Sequence, residues 1–204
     1  MLRRYDGKPD SFQFLAQIFG YCLMNFTWWA NRKDSDQKDL FEGGFLGLDN
    51  ISLIDRSHLN AFEHQVGRKL QLYQSDGTSW MGMFSLNLME IALELSLQGQ
   101  AEYERLASKF FQHFVFIAEA MNSIERRSQG QVTLWDDADE FYYDVLKVSG
   151  NPDQYDSMKL RSLVGLLPLL PVSAVDFTQL DDRSIRGINQ RVEWFRDTHP
   201  DLLD

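Results

Sequence analysis

Trp80-Met81-Gly82-Met83-Phe84-Ser85-Leu86-Asn87-Leu88-Met89-Glu90-Ile91-Ala92-Leu93-Glu94-Leu95 is apolar on almost every side of a helical period. A helix with that distribution is normally buried on most sides. The stretch therefore predicts an inner helix from about Thr78 to Gln98. The next segment is of the opposite kind. From Ala101 to Arg126, Tyr103, Leu106, Phe110, Phe114, Ala118 and Met121 form one apolar stripe, while Arg105, Lys109, Gln112, Glu119 and Asn122 lie elsewhere. That pattern is a surface helix.

Working outward, three more helices are expected. Ser11 to Arg32 carries Phe12, Leu15, Ile18, Phe19, Cys22, Phe26 and Trp29 at spacings of three and four. Lys159 to Leu170 is mostly apolar, with Pro168 and Pro171 limiting its end, and Ser184 to His199 is amphipathic and stops before Pro200. From the second helix onward the order is buried, surface, buried, surface, which suggests two concentric layers. Strand signals are minor: Arg68 to Gln74 and Glu140 to Val148 suit short hairpins. The reading is an all-α protein, a single region over residues 1–204. Two long connections, residues 33–77 and 127–158, fall at the same end of an antiparallel helical array. Long connections between packed helices are where function concentrates.

Composition narrows the class. The chain has 204 residues, a formal charge of −10, 44% apolar and 25% charged residues, and one cysteine, Cys22. Fifteen Phe, seven Tyr and five Trp can build a core, so disorder is excluded as the dominant state. No window approaches the roughly 18 apolar residues of a membrane span, and the first ten residues lack the apolar core of a signal peptide. A single cysteine forms no internal disulfide and fits a reducing compartment. The expected setting is the cytoplasm, with no membrane partner. Acidic charge disfavours a phosphate backbone, so no nucleic acid is expected.

Several familiar chemistries fail on spacing. Gly43-Gly44-Phe45-Leu46-Gly47 has no following Gly-Lys-Ser/Thr, and Gly77-Thr78-Ser79-Trp80-Met81-Gly82 misses the nucleophile-elbow spacing by one residue. His58, His64, His113 and His199 show no metal-binding spacing. Asn25-Phe26-Thr27 matches a glycosylation triplet but lies inside a predicted helix. No metal and no cofactor are expected. What remains is carboxylates, glycines and aromatics in the long connections, from Asp39 to Ser57 and from Gln74 to Trp80. Sugar sites need carboxylates for proton transfer and aromatic faces for C–H surfaces. The same residues equally suit a turn or cap at Asp49 and a core tryptophan at Trp80.

Five ordered motifs carry a resemblance. Asn25-Phe26-Thr27-Trp28-Trp29-Ala30-Asn31-Arg32-Lys33-Asp34 is followed by Leu40-Phe41-Glu42-Gly43-Gly44-Phe45-Leu46-Gly47-Leu48-Asp49-Asn50. Then come Gln74 to Met81, Leu134-Trp135-Asp136-Asp137-Ala138-Asp139-Glu140-Phe141-Tyr142-Tyr143-Asp144, and Arg161 to Leu169. Together they resemble glycoside hydrolase family 63, closest to bacterial members of the glucosidase and mannosylglycerate hydrolase kind. The resemblance implies an (α/α)6 toroid and inverting hydrolysis of α-glycosidic bonds by one acid and one base carboxylate.

By that resemblance, Asp49 takes the general-acid role, with Gly47, Asn50, Asp76, Trp80 and Tyr142 contacting a carbohydrate substrate. Trp28, Trp29, Trp80 and Tyr142 are weaker transfers, the first two equally suited to core packing, and Asp55 is the nearby alternative acid. The family's general base lies beyond the matched segments, and about five helices make only an arc of a toroid. The expectation is therefore a fragment whose remaining part belongs to a longer chain, with little glycosidase activity by itself. The alternative is a non-catalytic helical module that binds carbohydrate or protein.

Overall fold

The computed structural model describes residues 9–31, 39–42, 51–97, 101–127, 130–150, 152–174 and 182–198. They fall into two compact units, one drawn from residues 1–30, 83–115 and 172–204, the other from 31–82 and 116–171. The elements in chain order are α1 (Pro9–Ala30), β1 (Phe41–Glu42), α2 (Leu59–Val66), β2 (Leu70–Gln74), α3 (Ser75–Ser96) and α4 (Ala101–Asn122). They continue with β3 (Glu125–Arg127), β4 (Gly130–Val132), β5 (Trp135–Asp136), β6 (Phe141–Tyr142), β7 (Asp144–Val148), β8 (Gln154–Met158) and α5 (Asp182–Thr198). Short 3-10 turns cover Arg56–His58 and Leu163–Leu169. Among the described residues, no helix is long and apolar enough to cross a membrane.

The first unit is helical. Phe12, Phe19 and Phe26 recur every seven residues, so they lie along one line of α1. All three meet aromatic rings edge-on: Phe12 and Phe19 against Tyr103, Phe19 and Phe26 against Phe110, and Phe26 against Phe84 and His113. The centroid separations of 5.1–6.5 Å suit the edge-to-face geometry that aromatic quadrupoles favour. Ser173 Oγ donates to Glu90 Oε1 at 2.5 Å, tying the residues after Pro171 to α3.

The second unit is organised by strands, and this corrects the all-α toroid. Four antiparallel strands run in the order β1-β2-β7-β8. Two further two-stranded sheets, β3-β4 and β5-β6, occupy the chain between α4 and β7. The two segments read as minor strand signals are β2 and β7, and they pair with each other: Leu70 with Val148, Leu72 with Leu146, Tyr73 with Val145. The partners stand more than 70 residues apart, so no local pattern announces the pairing. All five residues of β2 are buried, as befits an inner strand of a covered sheet. The two long connections thus do meet, but in a sheet.

The helix expected from Lys159 to Leu170 is also corrected. The chain leaves β8 at Met158, turns tightly as the Leu160 N–H donates to the Met158 carbonyl at 2.8 Å, and forms only the 3-10 turn Leu163–Leu169. Pro168 has no N–H and disfavours helical geometry in the residue before it. Leu163, Leu166 and Leu169 are exposed, whereas Val164, Gly165 and Leu167 are buried. Short apolar runs do not distinguish a buried helix from other buried segments. Ser162 starts the turn by accepting the Val164 N–H at 3.3 Å.

Gly165 explains why this turn lies flat on the β5–β6 hairpin. A Cβ there would collide with the Phe141 ring and, less avoidably, with the Tyr142 carbonyl oxygen. Gly165→Ala is expected to lower the stability of the chain by about 1–3 kcal/mol, the usual cost of overpacking. Urea unfolding measures it, and an unchanged midpoint would contradict the packing.

Candidate functional site

The site is built at the junction where β2 passes directly into α3. Gln74 ends the strand and Ser75 begins the helix, so the first-turn N–H groups of α3 need partners from elsewhere. Asp144, the first residue of β7, supplies one: its Oδ1 accepts the Ser75 N–H at 2.8 Å and the Ser75 hydroxyl at 3.3 Å. Asp76 Oδ1 accepts the Gly77 N–H at 2.8 Å. Thr78 Oγ1 donates to the Gln74 carbonyl at 2.5 Å and accepts the Phe41 N–H at 2.9 Å, holding β1 to the same turn.

Between these carboxylates lies Arg56. Its Nη1 and Nη2 donate to Asp76 Oδ1 and Oδ2 at 3.0 and 2.7 Å, and Nη1 also donates to Asp144 Oδ2 at 2.9 Å. Arg56 is 1% exposed, Asp76 0% and Asp144 3%, so this is an ion cluster removed from water. Burial opposes the Arg56 charge, yet the two carboxylates hold the guanidinium above its ordinary range. Burial pushes the Asp144 carboxyl up, against the pull of Arg56. The cluster's two acids outnumber its one base. The positive end of α3 and the donated N–H groups offset the remainder, because a helix N-terminus favours negative charge.

Around this cluster, polar atoms of three residues have no hydrogen-bond partner among the described residues: Arg56 Nε, both side-chain polar atoms of Gln74, and Ser52 Oγ. Ser52 lines a cleft of about 10 Å³ together with Asp144, Tyr142, Tyr143, Ser162 and Met158. Tyr142 meets Trp135 edge-on at 4.9 Å across the β5–β6 hairpin, and burial pushes its hydroxyl pKa up.

A second, solvent-facing network joins that hairpin to the chain after β8. Asp136 Oδ1 accepts the Asp139 N–H at 2.9 Å and shapes the turn. Lys159 Nζ lies 2.6 Å from Asp136 Oδ2 and 3.4 Å from Asp139 Oδ2, and Arg161 Nη2 is 2.9 Å from Asp139 Oδ1. The Tyr143 hydroxyl donates to Asp139 Oδ2 at 3.1 Å and accepts from Arg161 Nε at 3.4 Å. Asp55, Ser57 and His58 also gather, but Asp55 Oδ2 and Ser57 Oγ both engage His58 Nδ1, at 2.8 and 2.9 Å. A nucleophile–base–acid relay uses the two ring nitrogens separately, so this is a cap for the Arg56–His58 turn. Among the described residues, no group of three or more His, Cys, Asp or Glu is placed to hold a metal ion.

Over 199 aligned residues the chain is 40% identical to the uncharacterized protein YMR196W of Saccharomyces cerevisiae. The alignment covers 94% of this chain but 17% of that relative, so the chain spans a small part of the relative's length. No family model matches the chain. No solved structure matches it significantly either.

Of the residues singled out from sequence, Asp76 and Tyr142 lie at this site. Asp76 has no exposed surface and is engaged by Arg56, so it is not open to the direct substrate contact expected from sequence. Trp80, in the second turn of α3, is 38% exposed. Trp28 and Trp29 are an edge-on pair in α1. Asp49, Gly47 and Asn50 lie outside the described residues. Sequence reasoning passes over Arg56, Ser52 and Asp144 as site residues. Arg56 follows Ile51-Ser52-Leu53-Ile54 after one residue, and a cation beside an apolar run is a usable signal of a buried ion pair. Asp144 closes the Leu134 to Asp144 motif, whose more prominent feature is its acidic turn.

The surface network has a defined pH response. Hydrogen bonds from Lys159 and from the Asp139 N–H hold the Asp136 carboxyl below its ordinary value of 3.8. For Asp139 partial burial works the other way, but Tyr143, Lys159 and Arg161 together bring it below 3.8 as well. A carboxyl with a lowered folded pKa binds fewer protons when folded. Its contribution is full above the unfolded value and is lost as pH falls through the folded one. Carboxyl NMR titration should place both midpoints below 3.8, and Lys159→Ala should move Asp136 upward. Midpoints that ignore Lys159 would contradict the network.

Proposed function

We propose that the chain contributes the acid half of a glycoside hydrolase site acting on α-glucosides or related α-glycosides by an inverting mechanism. Asp49 is the proton donor in this reading. One observation carries it: the segment that follows Asp49-Asn50 lines a cleft at Ile51 and Ser52, and Tyr142 lines the same cleft. Thus the two residues that directly follow one of the five motifs resembling glycoside hydrolase family 63 share a cleft with residues of two others, Tyr142 of Leu134 to Asp144 and Ser162 of Arg161 to Leu169. The proposal rests on those motifs and on this meeting, and the toroid plays no part in it.

In an inverting hydrolysis the acid protonates the leaving oxygen while a second carboxylate activates water on the opposite face of the sugar. The two stand about 6.5–9.5 Å apart to admit that water. Within the second unit, Asp136 and Asp139 are tied to Lys159 and Arg161, and Asp76 and Asp144 to Arg56. None of these four is assigned as the base. The chain spans only 17% of the relative it matches, and the second carboxylate is assigned to polypeptide outside it. The single cysteine supports a cytoplasmic setting.

A non-catalytic carbohydrate-binding role is the second reading, favoured by the cleft's mixture of hydroxyl and aromatic groups without a free carboxylate. Turnover separates the two. The yeast relative is incubated with maltose and with methyl α-D-mannopyranoside, and the first-formed anomer is followed by ¹H NMR. The proposal expects β-configured product, with turnover falling by about 10²–10⁴-fold, the worth of acid catalysis, when the aspartate matching Asp49 is changed to Asn. Asp55→Asn at its matching position is the control and should leave turnover intact. Binding without turnover would select the second reading, and neither binding nor turnover would end both.

A further inference from the structure

We infer that the cleft lined by Ser52, Tyr142, Asp144 and Ser162 seats one hydroxyl group of an α-glycoside, with Ser52 and Asp144 as its hydrogen-bonding partners. The inference rests on the reading of the site as carbohydrate-binding and specifies how the sugar is held there.

Size comes first. A cleft of about 10 Å³ has room for one oxygen and its hydrogen, close to the smallest space that holds a water. A pyranose ring does not enter it, but a hydroxyl projecting from the ring does. The chemistry of the lining then selects what enters. Ser52 Oγ is shielded from solvent and has no partner among the described residues, although buried polar atoms in folded proteins are almost always paired. A serine hydroxyl offers one donor and two acceptor positions, and the described residues use none of them. Asp144 also lines the cleft. Its Oδ2 accepts only from Arg56 Nη1 among the bonds described, which leaves lone-pair capacity for a second donor.

A group that both accepts a hydrogen bond and donates one satisfies the two residues together. A hydroxyl does so; an ammonium cannot accept, and a carboxylate would face Asp144. The remaining lining residues fit the body of a sugar. Tyr142 borders the same cleft, beside Met158, so a ring whose hydroxyl enters it lies against aromatic and thioether surface. Aromatic faces suit the C–H face of a pyranose. Ser52 follows Asp49 by three residues, so the proposed subsite and the proposed proton donor belong to one short segment.

Water satisfies the same two partners, and the test separates it from a sugar. The full 204-residue chain is titrated with methyl α-D-glucopyranoside and with its four monodeoxy analogues, followed by amide chemical shifts. The inference expects saturable shifts at Ser52, Tyr142 and Asp144. It also expects one monodeoxy analogue to bind about tenfold or more weakly, because a site built around a hydroxyl rejects the analogue that lacks it. Ser52→Ala should weaken the parent glycoside by a similar factor and leave that analogue's affinity unchanged. The analogue series on the unaltered chain does not depend on how the variant folds. Shifts mapping elsewhere, or equal affinity for all four analogues, would overturn the subsite while leaving the carbohydrate reading in place. No binding of the parent glycoside at any position would overturn both, with the cleft left to water.

Discussion

Arg56 is held by two carboxylates from distant parts of the chain, and the second unit depends on that clamp. Asp76 enters from the first turn of α3 and Asp144 from the first residue of β7. Desolvating a guanidinium is costly, and a buried ion pair repays the cost only with close geometry and satisfied hydrogen bonds. Here the fork is bidentate to Asp76, the arrangement in which arginine is not replaceable by lysine. The surplus negative charge rests on the N-terminus of α3. One cation therefore fixes three things at once: the end of the segment that follows Asp49, the start of a helix, and the alignment of β7 beside β2.

That constraint also decides what the acidic residues can do. Four aspartates of the motifs at this site are already engaged by cations, two in the buried cluster and two at the surface. Asp76, Asp136 and Asp139 hold the surrounding segments in place, and Asp144 alone of the four also lines the cleft. The groups left over are hydroxyls and aromatic surface, which recognise neutral polar ligands rather than anions or metals. A carbohydrate fits that inventory, and in the proposed reading the proton donor comes from the neighbouring segment.

Periodicity locates the long helices α1, α3, α4 and α5 to within a few residues at each end, because each has a long apolar stripe or an all-round apolar face. The case of Ser11 to Arg32, observed as Pro9–Ala30, is representative. The failures have separate causes. β2 and β7 are five residues each, and their pairing links positions that no sequence window spans. The apolar run after Lys159 has helical spacing, but Gly165 and Pro168 impose a flat turn. Helix α2, Leu59–Val66, is hidden because only a turn or two of pattern precede Gly67, whose φ of 67° ends it. At the site, Tyr142 and Asp76 are legible from a motif, whereas Ser52 matters only through an unpaired oxygen that three-dimensional packing creates.

The clamp is tested most directly by a double-mutant cycle on Arg56 and Asp144, read by urea unfolding of the whole chain. Arg56→Met strands two buried carboxylates and should cost about 3–5 kcal/mol. Asp144→Asn removes one of those charges while keeping an acceptor for the Ser75 N–H. If Arg56 is the shared counter-charge, the double variant loses less than the sum of the single losses by at least about 1 kcal/mol, well outside the ~0.5 kcal/mol within which independent sites add. Strict additivity would contradict it, leaving β7 held to β2 by backbone pairing alone.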